Sequence, residues 1–124
     1  RVKDLMHDGT ALPLVAGITP MPDVLIEISQ KGFGVVGVTG DNGQLDGIIT
    51  DGDLRRHMQG LLDHKAAEVM SRAPTTITPD ALAEEAVAVM NARKITCLFV
   101  VPVDGNGAPL GLLHIHDCLR VGLG

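Results

Sequence analysis

GIITDGDLR (residues 47–55) recurs as GLLHIHDCL (residues 111–119), and this repetition decides the fold of the 124-residue chain. In each copy a glycine opens an apolar, strand-like run, and an aspartate follows just after that run has ended. Gly47 and Gly111, like Asp53 and Asp117, lie 64 positions apart. The segments VKDLM (residues 2–6) and AAEVM (residues 66–70) keep the same offset. The chain is therefore predicted to be a tandem repeat, with one copy in residues 1–63 and the other in residues 64–124.

Each repeat carries the same order of predicted elements, β-α-β-β-α, after a short helix that ends in methionine. The brief first strands are predicted at 12–16 and 74–78. In the first repeat Thr19 is a predicted cap and Pro20 a first-turn proline of the amphipathic helix, and in the second repeat that helix runs from 81 to 93. Turn residues at 41–43 and 104–107 indicate two hairpins, 34–39 with 45–50 and 97–103 with 110–114. Closing helices are predicted at 51–60 and 115–121.

These elements predict an α+β fold. Neither repeat, at about 60 residues, buries much apolar surface alone. We expect the two β-α-β-β-α repeats to pack face to face with pseudo-twofold symmetry, and to leave clefts where the two sheets meet. Such a cleft suits a small molecule.

Composition excludes several other classes of function. The net charge of −5 argues against a nucleic-acid partner, and with Phe33 and Phe99 as the only aromatic residues there is no base-stacking platform. No apolar run approaches the roughly 20 residues of a membrane span, and no secretory signal is visible. Cys97 and Cys118 lack CxxC spacing and are predicted to be reduced. We expect a cytoplasmic protein, and, because the chain begins at Arg1, part of a longer one.

The pattern Gly47-x-x-Thr50-x-x-Asp53, the methionine-terminated segments and the spacing of the two halves together resemble a tandem pair of CBS domains, the regulatory modules named after cystathionine β-synthase. The resemblance covers essentially the whole chain. It implies that the carboxylate of Asp53 binds ribose hydroxyls and that Thr50 contacts phosphate. It also implies association of CBS pairs into homodimers.

A narrower resemblance rests on GFGVVGV (residues 32–38), GIITDGDLRR (residues 47–56) and LLHIHD (residues 112–117). These segments are similar to the C-terminal CBS pair of bacterial D-arabinose 5-phosphate isomerases. The resemblance implies a catalytic sugar-isomerase domain N-terminal to this chain, in a pathway that leads to Kdo, a sugar acid of lipopolysaccharide. The chain itself is then expected to have no isomerase activity.

The first candidate site lies at the start of the predicted helix 51–60. Thr50 and Asp53 also fit a helix capping box, and the two interpretations are compatible. Asp51 and Asp53 repel a bare phosphate, so sugar hydroxyls suit their carboxylates better. Arg55 and Arg56 are candidates for binding phosphate or carboxylate. A solvated helix face explains each of these two arginines equally well. By its place after Met70, Arg72 is a further candidate, since this segment lines the cleft in CBS pairs.

The second candidate site differs from the first, because His114 stands where the first repeat has Thr50 and His116 where it has Gly52. Asp117 keeps its place. A metal site is not expected, since His114 and His116 on an extended segment point to opposite faces. Contacts to a sugar acid or phosphate, or a pH-sensitive cluster, are the remaining interpretations. The other histidines, 7, 57 and 64, are predicted to be surface residues, and no partner is predicted for Ser29 or Ser71.

The hypothesis from the sequence is a regulatory module that binds a nucleotide or nucleotide-sugar, favouring CMP-Kdo as a feedback ligand. An adenine-nucleotide sensor and a purely structural dimerisation module are the alternatives. No cofactor, metal or catalytic residue is expected, because no nucleophile–base arrangement is visible.

Overall fold

The computed structural model describes residues 1–104 and 107–122, and the chain divides into two compact units. Pro13–Pro74 forms what we call the central unit, and Arg1–Leu12 together with Thr75–Gly124 forms the terminal unit. We call residues 1–12 and 64–74 the leading segments of the two repeats, and each of them belongs to the compact unit formed by the rest of the other repeat. The compact units divide after residues 12 and 74, whereas the repeat boundary after residue 63 stays a prediction about the sequence.

The central unit contains a four-stranded sheet in the order β1-β2-β3-β4. β1 is parallel to β2, and the other two pairings are antiparallel. Its elements are β1 (Leu14–Ala16), α2 (Met21–Lys31), β2 (Val35–Thr39), β3 (Leu45–Thr50), α3 (Asp51–Arg56), α4 (Ala66–Val69) and β4 (Ser71–Arg72), with a 3-10 turn at Leu61–Asp63.

Local sequence explains the bounds of α2. The N-cap is Pro20 and not Thr19 as predicted, so the helix begins one residue later, and Pro22 lies in its first turn, where a missing backbone donor costs nothing. The helix ends at Lys31, and the next residue, Gly32, takes a left-handed conformation with φ 79° that glycine adopts without strain. The buried face of α2 contributes Met21 and Val24 to a core that also contains Val36, Val38, Ile49, Leu61, Ala66 and Val69.

The terminal unit contains a three-stranded sheet in the order β5-β6-β7, with β5 parallel to β6 and β6 antiparallel to β7. Its elements are α1 (Val2–Leu5), β5 (Thr76–Ile77), α5 (Ala83–Arg93), β6 (Cys97–Val100), β7 (Gly111–His114) and α6 (Ile115–Leu119), with a 3-10 turn at Gly9–Ala11. His7 pairs with Leu112 of β7 through two backbone hydrogen bonds of 2.8 Å. The core consists of Val2, Ala83, Ala86, Val87, Met90, Leu98, Val100, Leu113 and Cys118.

The mixed α+β class is confirmed, and several predicted bounds are too long. α3 ends at Arg56 rather than at residue 60, and α6 at Leu119 rather than at residue 121. β6 ends at Val100, two residues before Pro102, which has no backbone donor for a ladder. β4, which pairs with β3, was not predicted. The predicted turn at 104–107 lies partly outside the described residues.

No helix within residues 1–104 and 107–122 combines the length and apolar character needed to cross a membrane.

Candidate functional site

A buried carboxylate, Asp53, organises the start of α3 in the central unit. The chain enters the helix from β3, so Asp53 lies at the third helical position and turns back towards Thr50. Its Oδ2 accepts hydrogen bonds from the backbone N–H of Thr50 at 2.9 Å and from the Thr50 hydroxyl at 3.2 Å. The side chain of Asp53 is only 3% exposed. Thr50 and Asp53 therefore form the capping contact that the sequence predicted.

The second oxygen of Asp53 binds two further donors. Oδ1 accepts from the hydroxyl of Ser71 and from the guanidinium of Arg56. Burial alone raises the pKa of Asp53, but the four hydrogen bonds outweigh burial, and the Ser71 bond contributes most. The pKa therefore lies below its ordinary value, and the group is an ionised acceptor at neutral pH.

Asp117 is the equivalent carboxylate of the terminal unit. It is 5% exposed, and its Oδ2 accepts from the backbone N–H of His114 at 3.0 Å. His7 Nε2 lies 3.0 Å from both carboxylate oxygens, and the guanidinium of Arg120 contacts Oδ1. Because a carboxylate only accepts hydrogen bonds, Nε2 of His7 carries the donated proton.

The two clusters correspond position by position at the offset of 64 residues. The capping positions are Thr50 and His114, and the arginines are residues 56 and 120. The donors from the leading segments are Ser71 and His7. Each cluster therefore joins two separate segments: the strand end and helix that carry the aspartate, and the leading segment of the other repeat, which carries Ser71 or His7.

Sequence reasoning missed three members of these clusters, although the repeat offset pointed to them. His7 was predicted to be a surface residue, which is wrong, because it contacts the buried Asp117. Ser71, without a predicted partner, donates to Asp53. Arg120 was not considered, although it lies 64 positions after Arg56.

The prediction that His114 and His116 point to opposite faces is also wrong. β7 ends at His114 and α6 begins at Ile115, so the segment is not extended across both histidines. Their rings stack with centroids 4.7 Å apart and planes 10° apart, and the backbone N–H of His116 donates to Nδ1 of His114 at 3.1 Å. Burial lowers the pKa of His114, the neighbouring His116 lowers it further, and the charge of Asp117 acts against this.

The remaining predicted residues lie at the edge of these clusters. Asp51 occupies the first position of α3, Arg55 the fifth, and Arg72 is the last residue of β4. All three side chains are exposed, and within the described part of the chain they make no side-chain hydrogen bond or ion pair. They are free to meet a ligand, but Asp53 does not hold them in place.

Gly47 and Gly111 make room for the chain itself. A Cβ on Gly47 would lie 2.6 Å from the carbonyl oxygen of Ser71 and 2.8 Å from Sδ of Met70. A Cβ on Gly111 would lie 2.5 Å from Sδ of Met6 and 2.8 Å from the carbonyl oxygen of His7. At each of these glycines a leading segment therefore packs closely against the strand, and that segment carries a hydrogen-bond donor to the aspartate.

Metal sites and clefts are the two other features that bear on ligand binding. Among the residues that the structure describes, no group of three or more His, Cys, Asp or Glu side chains is placed to hold a metal ion. A cleft of about 400 Å³ lies in the central unit at the Thr39 end of β2, the end away from the pairing of Val35 with Thr50. It contains none of the predicted site residues, and its lining is Ala16, Gly17, Ile18, Thr39, Gly40, Asp41, Asn42, Gln44 and Asp46.

Comparison with known families decides what this duplicated arrangement is. The family model for the CBS domain matches the chain twice, over residues 2–60 and 66–124. The chain belongs to the CBS domain family. The two CBS domains account for nearly all of its length, and the two aspartate clusters occupy corresponding places in them.

Curated relatives of this CBS pair are arabinose 5-phosphate isomerases. The chain is 40% identical over 126 residues to arabinose 5-phosphate isomerase KdsD from Yersinia pestis, and 39% identical to KdsD from Escherichia coli strain K12. Each alignment covers 99% of this chain and 38% of the relative. The chain thus spans well under half of the length of these relatives.

Solved CBS-pair structures share the fold. The structure of CBSX2 in complex with AMP matches with a TM-score of 0.82 at 26% identity, covering 98% of this chain and 95% of CBSX2. A structure of CBSX2 from Arabidopsis thaliana, described as a CBS-pair protein, matches with a TM-score of 0.81 at 25% identity, covering 98% and 93%.

Proposed function

We propose that this CBS pair is the regulatory ligand-binding module of an arabinose 5-phosphate isomerase and that it binds a nucleotide or nucleotide-sugar. The observation that carries the proposal is the pair of buried, multiply hydrogen-bonded carboxylates, Asp53 and Asp117, at equivalent places in a chain 40% identical to KdsD. A carboxylate that only accepts hydrogen bonds suits the adjacent hydroxyls of a ribose.

Cationic and polar groups around each aspartate supply the rest of a nucleotide site. Thr50, Arg55, Arg56 and Arg72 lie on the elements around Asp53, and His114, His116 and Arg120 lie on those around Asp117. Guanidinium and imidazole donors suit phosphate and carboxylate oxygens. Asp51 discourages a bare phosphate at the start of α3 and favours a sugar there.

CMP-Kdo is the ligand we favour. It presents ribose hydroxyls for an aspartate, a phosphate for one cation and a sugar carboxylate for a second. As the activated end product of the pathway that begins with arabinose 5-phosphate, it is also a sensible feedback signal. In this proposal the catalytic sugar-isomerase domain belongs to the parent protein, and the CBS pair itself is not an enzyme.

The substitutions in the terminal unit support two unequal sites. His7 and His114 stand where the central unit has the hydroxyl donors Ser71 and Thr50, so imidazoles replace hydroxyls at these two positions around the Asp117 carboxylate. The N–H groups of these imidazoles are donors that suit the phosphate and carboxylate oxygens of a sugar acid. We therefore propose that CMP-Kdo engages the Asp117 cluster more strongly than the Asp53 cluster.

Adenine nucleotides are the second candidate, favoured by the AMP complex of CBSX2 at 26% identity. A third role is structural, in which the CBS pair forms a homodimer and stabilises the assembly of the parent enzyme without binding a ligand.

Calorimetric titration of this chain with CMP-Kdo, CMP, AMP and ATP separates the three. Saturable binding of CMP-Kdo, weaker binding of CMP and no heat from AMP or ATP is the expected result. Binding of the adenine nucleotides alone replaces CMP-Kdo with an energy-sensing ligand. No heat from any of the four, with a folded protein, leaves the structural role.

A further inference from the structure

The strongest unexplained feature of both units is an arginine whose guanidinium contacts the buried carboxylate of the proposed ligand site. In the central unit the guanidinium of Arg56 contacts Oδ1 of Asp53, and in the terminal unit that of Arg120 contacts Oδ1 of Asp117. Both contacts join positions three apart on a short helix. The same contact thus occurs at equivalent positions of both units.

The acceptor positions of the Asp53 carboxylate are all used by donors of the chain itself. A carboxylate offers about four acceptor positions, and Asp53 uses two on each oxygen. Oδ2 accepts twice from Thr50, and Oδ1 accepts from Ser71 and Arg56. A ligand hydroxyl therefore reaches Asp53 only if one of these donors leaves.

Arg56 is the donor most easily displaced. The backbone N–H of Thr50 is fixed at the end of β3, and Ser71 is fixed in β4, which pairs with β3. The side chain of Arg56 is 63% exposed and that of Arg120 is 70% exposed. Long, exposed side chains in ion pairs gain little from the pair and are readily rehydrated.

We propose that Arg56 and Arg120 exchange partners on binding: each holds its aspartate in the empty site, yields it to a ligand hydroxyl, and then binds the ligand's phosphate or carboxylate. This inference rests on the proposed function. It makes the two arginines specificity-determining residues. A neutral nucleoside displaces the guanidinium without giving it a new partner, whereas an anionic nucleotide supplies one.

The test compares a nucleoside with its nucleotide in a double variant, Arg56→Met with Arg120→Met. Methionine keeps the unbranched apolar stem and has no donor. Removing the competing pair is expected to strengthen cytidine and adenosine binding by roughly two- to fivefold. Removing the phosphate donor is expected to weaken CMP and AMP binding by about tenfold or more. Lys31→Met, which removes a charge paired with Glu27 on α2, is the matched control and is expected to change neither.

A second readout needs no ligand. In Arg56→Met, the carboxyl resonance of Asp53, followed by ¹³C NMR, is expected to titrate at higher pH, because one of the bonds that stabilise the carboxylate is gone. An unchanged Asp53 titration overturns the contact between Arg56 and Asp53.

The binding outcomes also separate the two proposals. Equal losses for nucleosides and nucleotides overturn the exchange while leaving the proposed function standing. Binding of no nucleoside or nucleotide by the wild-type chain or the double variant overturns both the proposed function and the second partner of the arginines.

Discussion

Replacing Gly47 by alanine presses a methyl group against the segment that carries Ser71. The new Cβ would lie 2.6 Å from the Ser71 carbonyl oxygen and 2.8 Å from the sulfur of Met70. The methionine side chain can rotate away. The carbonyl belongs to β4, whose Ser71 is paired with Ile48, so it moves only at the expense of that pairing.

The expected cost follows from two opposing effects. Overpacking a buried position costs about 1–3 kcal/mol. The gain from restricting the unfolded chain on a glycine-to-alanine change is about 0.4–1 kcal/mol. We expect the free energy of unfolding to fall by about 1–2 kcal/mol. We also expect the pKa of Asp53 to rise, because the displaced Ser71 hydroxyl contributes most to lowering it.

Urea unfolding of Gly47→Ala, read against wild type, measures the first effect. With a slope of about 2 kcal/mol per M, the midpoint is expected to fall by roughly 0.5–1 M. Gly52→Ala is the matched control, because its nearest contact is the flexible tip of Arg56 at 3.3 Å and alanine favours the helix. It should leave the midpoint unchanged or raise it.

Equal midpoints for Gly47→Ala and wild type, with an unchanged titration of Asp53, would show that β4 does not pack against Gly47. The proposed delivery of Ser71 to the carboxylate would then be wrong.

Three further predictions concern the terminal unit. Folding lowers the pKa of His114. Its contribution to stability is therefore complete above the unfolded pKa of about 6.5 and is lost as pH falls through the lower folded pKa. In urea titrations His114→Thr, which copies Thr50, should lose less stability between about pH 7 and pH 5 than the wild-type chain. The pKa of Cys97 is raised to about 11, chiefly by burial and also by the charge of Asp117, while a hydrogen bond from Thr96 acts against this. At pH 8 the alkylation of Cys97, followed by mass spectrometry, should therefore be about 100-fold slower than in the unfolded chain. Equal rates would refute this prediction. Met90→Ala removes a fully buried side chain and should cost about 2–5 kcal/mol in the same urea assay, whereas Met58→Ala, at a position 63% exposed, should change stability by less than about 0.5 kcal/mol.

The repeat and its local signals predicted most of the fold. Apolar runs bounded by turn residues located both hairpins, and Thr19-Pro20 located the start of α2 to within two residues. Local pattern did not predict the two-residue strand β4, which pairs with β3 and approaches it closely at Gly47. Propensity over two residues carries too little information to predict such pairing.

The same distinction applies to the site. The contact between Thr50 and Asp53 is local, so its capping pattern was visible in the sequence. The Ser71–Asp53 and His7–Asp117 contacts join residues 18 and 110 positions apart, and they depend on how the leading segments fold back. The 64-residue offset predicts the members of one cluster only after those of the other cluster are known.

The most direct measurement of the central claim is a calorimetric titration of CMP-Kdo and AMP into Asp53→Asn and Asp117→Asn, beside wild type. Asparagine keeps the size of the side chain and loses the charge, and thermal unfolding of each variant establishes that it is folded. We expect CMP-Kdo binding to weaken by at least about tenfold in Asp117→Asn and by less in Asp53→Asn, because charge-assisted hydrogen bonds to the ribose are lost. If whichever of these ligands the wild-type chain binds were bound equally well by both folded variants, the claim that these carboxylates form the ligand site would be contradicted.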